Sequence, residues 1–314
     1  MDHQKIIEIC NNYYINPKTV KVLRNNDRLL ARIETAHTYY LKGEPADKTY
    51  WEACCTFANL LNDQGFNVTQ YIQSSYGTYT VQYMDKIFSL EQSLPGKPLE
   101  VITDKEIIDI GSLLGIQHRL SMKLPNLFTN ATSWSLFGGN LSDALGDYDE
   151  NELSFLEFKK HFNLHPLFTK IESLFNEYRY NLQQVWMRLP QGAVQGDFCY
   201  YNMIQLPDES LAIFDFNLAG NEVYLNECIA VAVYHAWHAP YTGKLNEHER
   251  FQLFLNSYTK ERPLTSLEEI YTPQLKAIIR AFRFDRVELG IALNNGLMQE
   301  LFIKETLKIL EDVE

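Results

Sequence analysis

Cysteine is scarce in this sequence. Cys10, Cys54, Cys55, Cys199 and Cys228 are five among 314 residues, an odd number without a C-x-x-C pair. A disulfide framework and a zinc ribbon are thereby excluded, and a reducing compartment fits. No apolar stretch approaches the roughly 18 residues of a membrane span, and the opening MDHQKIIEICNNYY carries charge where a signal peptide has its apolar core. A cytoplasmic location and no membrane partner are expected. Basic charge is also short: 28 Lys and Arg stand against 40 Asp and Glu, a net −12, so the footprint that a nucleic acid needs is missing. Glycine (15) and proline (11) are too few, and hydrophobic residues (46%) too many, for a collagen-like or disordered chain. Walker A, G-x-S-x-G and G-x-G-x-x-G motifs are missing as well, which leaves P-loop, hydrolase and dinucleotide readings without an anchor. The pairs His161/His165 and His235/His238 have no third metal ligand, and packing or surface roles suit them better.

The length suits about two domains or two lobes. Residues 1–90 hold nine basic and nine acidic side chains, so the whole negative excess falls later. The first part reads as strands over 20–23, 28–34, 38–42, 78–83 and 86–91, with turn residues such as Asn25-Asn26-Asp27 between them. One helix starts at the N-cap Asp47, aligns Trp51, Cys54, Cys55, Ala58 and Leu61, and stops before Gly65. Leu94-Pro95-Gly96-Lys97-Pro98 then breaks both periodicities, which predicts domains over 1–92 and 93–314. Helices dominate the second, over 153–162, 165–188, 226–238, 246–259, 273–294 and 297–311. The capping box of Thr103 and Glu106 opens another, through Ile107, Ile110, Leu114 and His118. The acidic run 143–152 reads as a solvated loop.

The richest segment is QGDFCYYNMIQLPDESLAIFDFNLAG, residues 195–220. Two apolar runs joined by Pro207-Asp208-Glu209-Ser210 predict a hairpin whose paired residues sum to 417, so Asn202 faces Asp215. An amide oxygen and a carboxylate would then converge on one cation of Mg²⁺ size. Asp197 lies close enough to take a proton from a substrate hydroxyl beside that cation. A polar hairpin end capped by Asp and Asn satisfies the same spacing.

Gly196-Asp197-x-x-x-x-Asn202 followed by Ile213-Phe214-Asp215-Phe216-Asn217-x-Ala219 resembles the catalytic loop and metal-binding strand of the aminoglycoside phosphotransferase and choline kinase-like family, relatives of protein kinases. The resemblance spans most of the chain: Tyr39-Tyr40-Leu41-Lys42 is similar to the family's nucleotide-lysine strand, residues 94–99 to the segment after its interlobe hinge, and Gly111 to His118 to the helix beneath its catalytic loop. It implies an α+β, two-lobed protein-kinase-like fold, with a small β-rich amino-terminal lobe holding one main helix and a larger, mainly helical carboxy-terminal lobe. It also implies roles: Asp197 as catalytic base, Asn202 and Asp215 as Mg²⁺ ligands, Lys42 on phosphate with Glu52 as its partner, and the backbone of Glu91, Gln92 and Ser93 on the adenine of ATP.

Departures from the pattern are specific. Gln195 stands where the family has His, Asn217 where many members have Asp, and Asn226 where a helix commonly opens on Asp. The loop Arg24-Asn25-Asn26-Asp27 lacks phosphate-covering glycines, which favours small-molecule kinases over protein kinases. The reaction expected is ATP-dependent phosphorylation of a hydroxyl on a small, amine-bearing molecule of the aminoglycoside, choline or homoserine class. A stress-response type Ser/Thr protein kinase and a nucleotide-binding pseudokinase are the alternatives.

Overall fold

Alternation builds the first sheet. α1 (His3–Asn11) precedes β1 (Thr19–Asn25), β2 (Leu29–Glu34) and β3 (Thr38–Glu44), and α2 (Lys48–Asp63) separates these from β4 (Thr80–Tyr83) and β5 (Lys86–Gln92). The strands lie antiparallel in the order β1-β2-β3-β5-β4. Every second residue of β2, Leu29, Ala31 and Ile33, joins Tyr39, Leu41, Phe88 and Leu90 in a core that Ile6, Ile9 and Cys10 of α1 close together with Tyr13 just after it. On the opposite face α2 docks through Trp51 Nε1, which donates to Ser89 Oγ at 3.0 Å. Asp47 caps α2 as expected, accepting from Tyr50 N. α1 comes in addition to the elements expected from the sequence: Asp2 caps it, and Ile6, Ile9 and Cys10 carry helical spacing.

This computed structural model describes residues 1–129, 135–138 and 150–313. Asp143, Asp147 and Asp149 of the acidic run lie outside the described residues. Two units form: Met1–Glu100 with Lys123–Phe128 and Asp197–Ala219, and Val101–Met122 with Thr129–Gly196 and Gly220–Glu314. The boundary drawn near residue 92 therefore falls inside the first unit, which also takes in the hairpin. The reason is backbone pairing. β6 (Lys97–Pro98) pairs with β8 (Met203–Gln205), and β8 with β9 (Leu211–Ile213). Ile213 further bonds the loop between α2 and β4, donating to Asn67 O at 3.0 Å and accepting from Thr69 N at 2.9 Å.

The second unit is mainly helical: α3 (Asp104–Ser121), α4 (Glu150–Phe162), α5 (Phe168–Val185), α6 (Tyr224–Trp237), α7 (Glu247–Glu261), α8 (Ser266–Ala281), α9 (Phe284–Ala292) and α10 (Gly296–Glu311). β7 (Gln191–Val194) and β10 (Gly220–Val223) add a short antiparallel pair. The single helix expected over 273–294 is two, α8 and α9, parted at Phe282 and Arg283; Pro273 lies inside α8 without ending it. The Thr103/Glu106 capping box is present. No helix among the described residues is long and apolar enough to cross a membrane.

α3 packs against α7 at close range because glycines face it. A Cβ built on Gly111 would lie 2.6 Å from Phe254 O, and one on Gly115 2.6 Å from Tyr258 O. Backbone cannot yield as a side chain can, so Gly111→Ala and Gly115→Ala should each cost about 1–3 kcal/mol, measured by chemical denaturation; unchanged midpoints would contradict this contact.

Candidate active site

The hairpin turns one residue earlier than its sequence suggests. Met203 pairs with Ile213, Ile204 with Ala212 and Gln205 with Leu211, so partners sum to 416 rather than 417. Ser210 joins the ladder instead of the loop, its carbonyl oxygen accepting from Leu206 N at 2.9 Å. Asp208 Oδ1 accepts from Ser210 N (3.1 Å) and Ser210 Oγ (2.7 Å), and Glu209 adopts a left-handed φ of 67°, the form of a three-residue hairpin loop. Asn202 consequently faces Phe214, whose N–H donates to Asn202 O at 3.1 Å, and not Asp215. On a regular ladder such a slip would turn Asp215 to the opposite face. Asp215 instead leaves the strand with φ 65°, a conformation that non-glycine residues rarely adopt, and its Oδ1 meets Lys42 Nζ at 3.2 Å.

Gly196 carries φ 83°, which suits glycine, and delivers the chain to Asp197. Asn202 then bonds Asp197 twice, from Nδ2 to the backbone O (3.0 Å) and to Oδ2 (2.8 Å), while Tyr201 OH donates to Asp197 Oδ1 at 2.9 Å. With its NH₂ group on Asp197, the Asn202 amide turns its oxygen the other way. Asn202 Oδ1 and the Asp215 carboxylate, the two hard donors flanking Phe214, are thus the groups that could hold a divalent cation. Among the described residues no three His, Cys, Asp or Glu side chains could hold a metal by themselves. Two such ligands fit Mg²⁺, which keeps water and phosphate oxygens for its other positions.

Lys42 lines a cavity of about 380 Å³ together with Leu30, Tyr40, Glu91, Leu94, Ile204 and Asp215 among others. Its ammonium lies 3.1 Å from Glu91 Oε1. Burial disfavours the charge, yet Glu91 and then Asp215 more than offset it and hold the Lys42 pKa above its usual value. Burial pushes the Glu91 carboxyl up, with Lys42 opposing. The expected pair of Lys42 with Glu52 is corrected: Glu52 Oε1 accepts from Tyr79 N at 2.7 Å and Oε2 from Thr80 N at 2.9 Å, which ties α2 to the start of β4.

The backbone expected to meet adenine has partners of its own in the sheet and the loops beside it. Gln92 N donates to Gln70 O (2.8 Å) and Ser93 N to Thr38 O (3.0 Å), and both amides are consumed within the protein. Leu94, which lines the cavity, has an N–H without an acceptor among the described residues. Glu91 lines the cavity and its side chain meets Lys42 there. Alternation held that signal: on paired strands, Lys42 opposite Ser89 and Tyr40 opposite Glu91 put Lys42 and Glu91 on one face.

In the second unit Glu227 follows Asn226 near the start of α6. Its Oε1 accepts from Gly196 N at 2.8 Å and its Oε2 meets His118 Nε2 at 2.6 Å. His118 Nδ1 lies 2.7 Å from Tyr258 OH, which accepts from Arg262, itself paired with Glu268 at 2.8 Å. Full burial, and then Arg262, push the His118 pKa well below its usual value. Burial lowers His235 to about 4, where Nδ1 is 2.8 Å from Val231 O. Both residues are neutral when folded, while an unfolded His takes a proton near pH 6.5. The unfolded state therefore binds more protons below that pH, and stability should fall as pH drops from about 6.5 towards 4. The depressed His235 alone contributes on the order of 3 kcal/mol to that loss. Thermal melts should show a His235→Leu variant with a shallower decline; an identical slope would contradict the assignment.

No protein-family model matches the chain, and no curated protein matches it. Solved structures do. An amicoumacin kinase in complex with AMP-PNP, Ca²⁺ and Ami is 15% identical over 99% of this chain and 94% of that one, with a TM-score of 0.64. An aminoglycoside phosphotransferase from Alicyclobacillus acidocaldarius is 10% identical over 100% and 93%, with a TM-score of 0.62. Choline kinase from Streptococcus pneumoniae is 12% identical over 98% of both chains, with a TM-score of 0.52. The chain shares the kinase-like α+β fold of these proteins, with a five-stranded sheet in its amino-terminal part and helices in its carboxy-terminal part.

Proposed function

We propose that this protein is an ATP-dependent O-phosphotransferase that moves the γ-phosphate to a hydroxyl of a small molecule carrying at least one amine. One observation carries the reading: Lys42, Asp215, Asn202 and Asp197 fall in one unit, linked pairwise by the 3.2 Å and 2.8 Å contacts between Lys42 and Asp215 and between Asn202 and Asp197. Lys42 is a fixed cation for phosphate oxygens. A divalent cation on Asp215 and Asn202 would neutralise phosphate charge. Asp197 accepts from Tyr201 OH on one carboxylate oxygen and from Asn202 Nδ2 on the other, which orients the carboxylate to take the proton of the attacking hydroxyl.

An amine on the acceptor is supported by the charge distribution, since the net −12 arises after residue 90. A cavity of about 640 Å³ on α4 and α9, within the second unit, joins Glu150, Glu157 and Glu288 to apolar Leu153, Phe284 and Ile291. Burial raises the Glu150 carboxyl to about 7. Part of the acidic run is compensated by tertiary partners, as Glu152 lies 3.7 Å from Arg179. Screening hydroxylated amines and antibiotics with ATP consumption as readout tests the reaction. For the acceptor that emerges, kcat/KM should fall as ionic strength rises; a flat profile, or an acidic acceptor, would remove charge from the account of substrate choice.

A further inference from the structure

Lys42 has two carboxylate partners, and Asp215 is committed to a cation in the reaction above. We infer that Glu91 positions the Lys42 ammonium for nucleotide phosphate, and that helix α2 takes no part in holding it. This rests on the cavity being a nucleotide site, and it assigns to the sheet a task that the resemblance gives to Glu52 of α2.

The pair is built into paired strands. Lys42 and Glu91 are diagonal neighbours across β3 and β5, joined at 3.1 Å, with side chains only 12% and 6% exposed. Their separation is therefore set by backbone hydrogen bonds, and burial keeps water from competing for the contact. When Asp215 turns to a cation, Glu91 remains.

Glu52, by contrast, is spent. It serves Tyr79 N, Thr80 N and Thr80 Oγ1, and Thr80 is buried. Swinging Glu52 to Lys42 would strand buried donors, at a cost of about 1–3 kcal/mol each. α2 is pinned elsewhere too. Trp51 holds Ser89, Asn59 exchanges 2.8 Å hydrogen bonds with Tyr71 N and O, and Tyr50 OH donates to Asn217 O at 3.0 Å and Ala219 O at 2.9 Å. A lysine positioned from a mobile helix is placed only when that helix docks. Here it is placed by the sheet whether or not α2 shifts.

Calorimetric binding of AMP-PNP with Mg²⁺ tests this on the full chain. Wild type must bind; no binding would overturn the nucleotide reading and this inference with it. Given binding, Glu91→Gln should raise Kd about tenfold when Lys42 is present and leave it within about twofold when position 42 carries Lys42→Met, whereas Glu52→Gln and Lys42→Met should combine additively. The coupling to Lys42, and not the melting temperature, separates the roles, since neutralising one partner of a buried ion pair costs stability whatever its task. Equal effects of Glu91→Gln in both backgrounds, or coupling of Lys42 to Glu52, would overturn the inference while leaving the nucleotide site standing. Should the amide variant fail to fold, Glu91→Met closes the cycle with an apolar side chain of similar volume in place of the ion-pair partner.

Discussion

Asp197→Asn should lower turnover by about two to four orders of magnitude, the usual worth of a general base, while Mg²⁺-nucleotide affinity stays within about threefold of wild type. The separation follows from where Asp197 points its bonds. Its carboxylate touches Tyr201 and Asn202, whereas Lys42, proposed to meet the nucleotide, pairs with Glu91 and Asp215. An amide keeps the shape and can still accept from Asn202 Nδ2 through its oxygen, but it cannot take a proton. Steady-state kinetics with calorimetry on the same preparations resolves the two effects. A fall in affinity matching the fall in turnover would mean that Asp197 shapes the nucleotide site instead.

Asp215→Ala should abolish the metal dependence of nucleotide binding, raising Kd for the Mg²⁺ complex about 100-fold, as expected when a buried-site charge partner is removed. Asp215 serves two partners in the account: the cation, and Lys42 at 3.2 Å. Lys42 keeps Glu91, so metal-free binding should change far less. Asn202→Ala should leave affinity at saturating Mg²⁺ near wild type and raise the Mg²⁺ needed to reach it. Titrating Mg²⁺ at fixed AMP-PNP distinguishes them; an Asp215→Ala protein with an unaltered Mg²⁺ requirement would remove Asp215 from the metal site.

What the sequence carried was local chemistry. Asp47 and Thr103 announced helix starts because a capping side chain must sit next to its helix. The strands of the first sheet were legible because alternation is fixed by the pleat. Partner choice was not local. Whether Lys42 meets Glu52 or Glu91 depends on which backbone donors claim Glu52 first, and those belong to Tyr79 and Thr80, more than twenty residues away. The hairpin register failed for a subtler cause. Pro207 to Ser210 reads as a four-residue loop, but Asp208 draws Ser210 back into the ladder and Glu209 takes the left-handed turn. Asp215 escapes the consequence only through its own φ of 65°, which no spacing rule for regular strands foresees. Glu227 carried no local signal either, since the groups that it meets, Gly196 N and His118 Nε2, lie 31 and 109 residues away.

The central claim is that this chain moves phosphate from ATP to a hydroxyl with Asp197 as base. Mass spectrometry of the panel of hydroxylated amines after incubation with ATP and Mg²⁺, run in parallel for wild type and Asp197→Asn, tests it most directly. The account predicts an acceptor that gains one phosphate with wild type and gains none with the variant over the same time. A wild-type protein that binds nucleotide yet phosphorylates nothing in the panel, or a variant that phosphorylates the acceptor as fast as wild type, would contradict it.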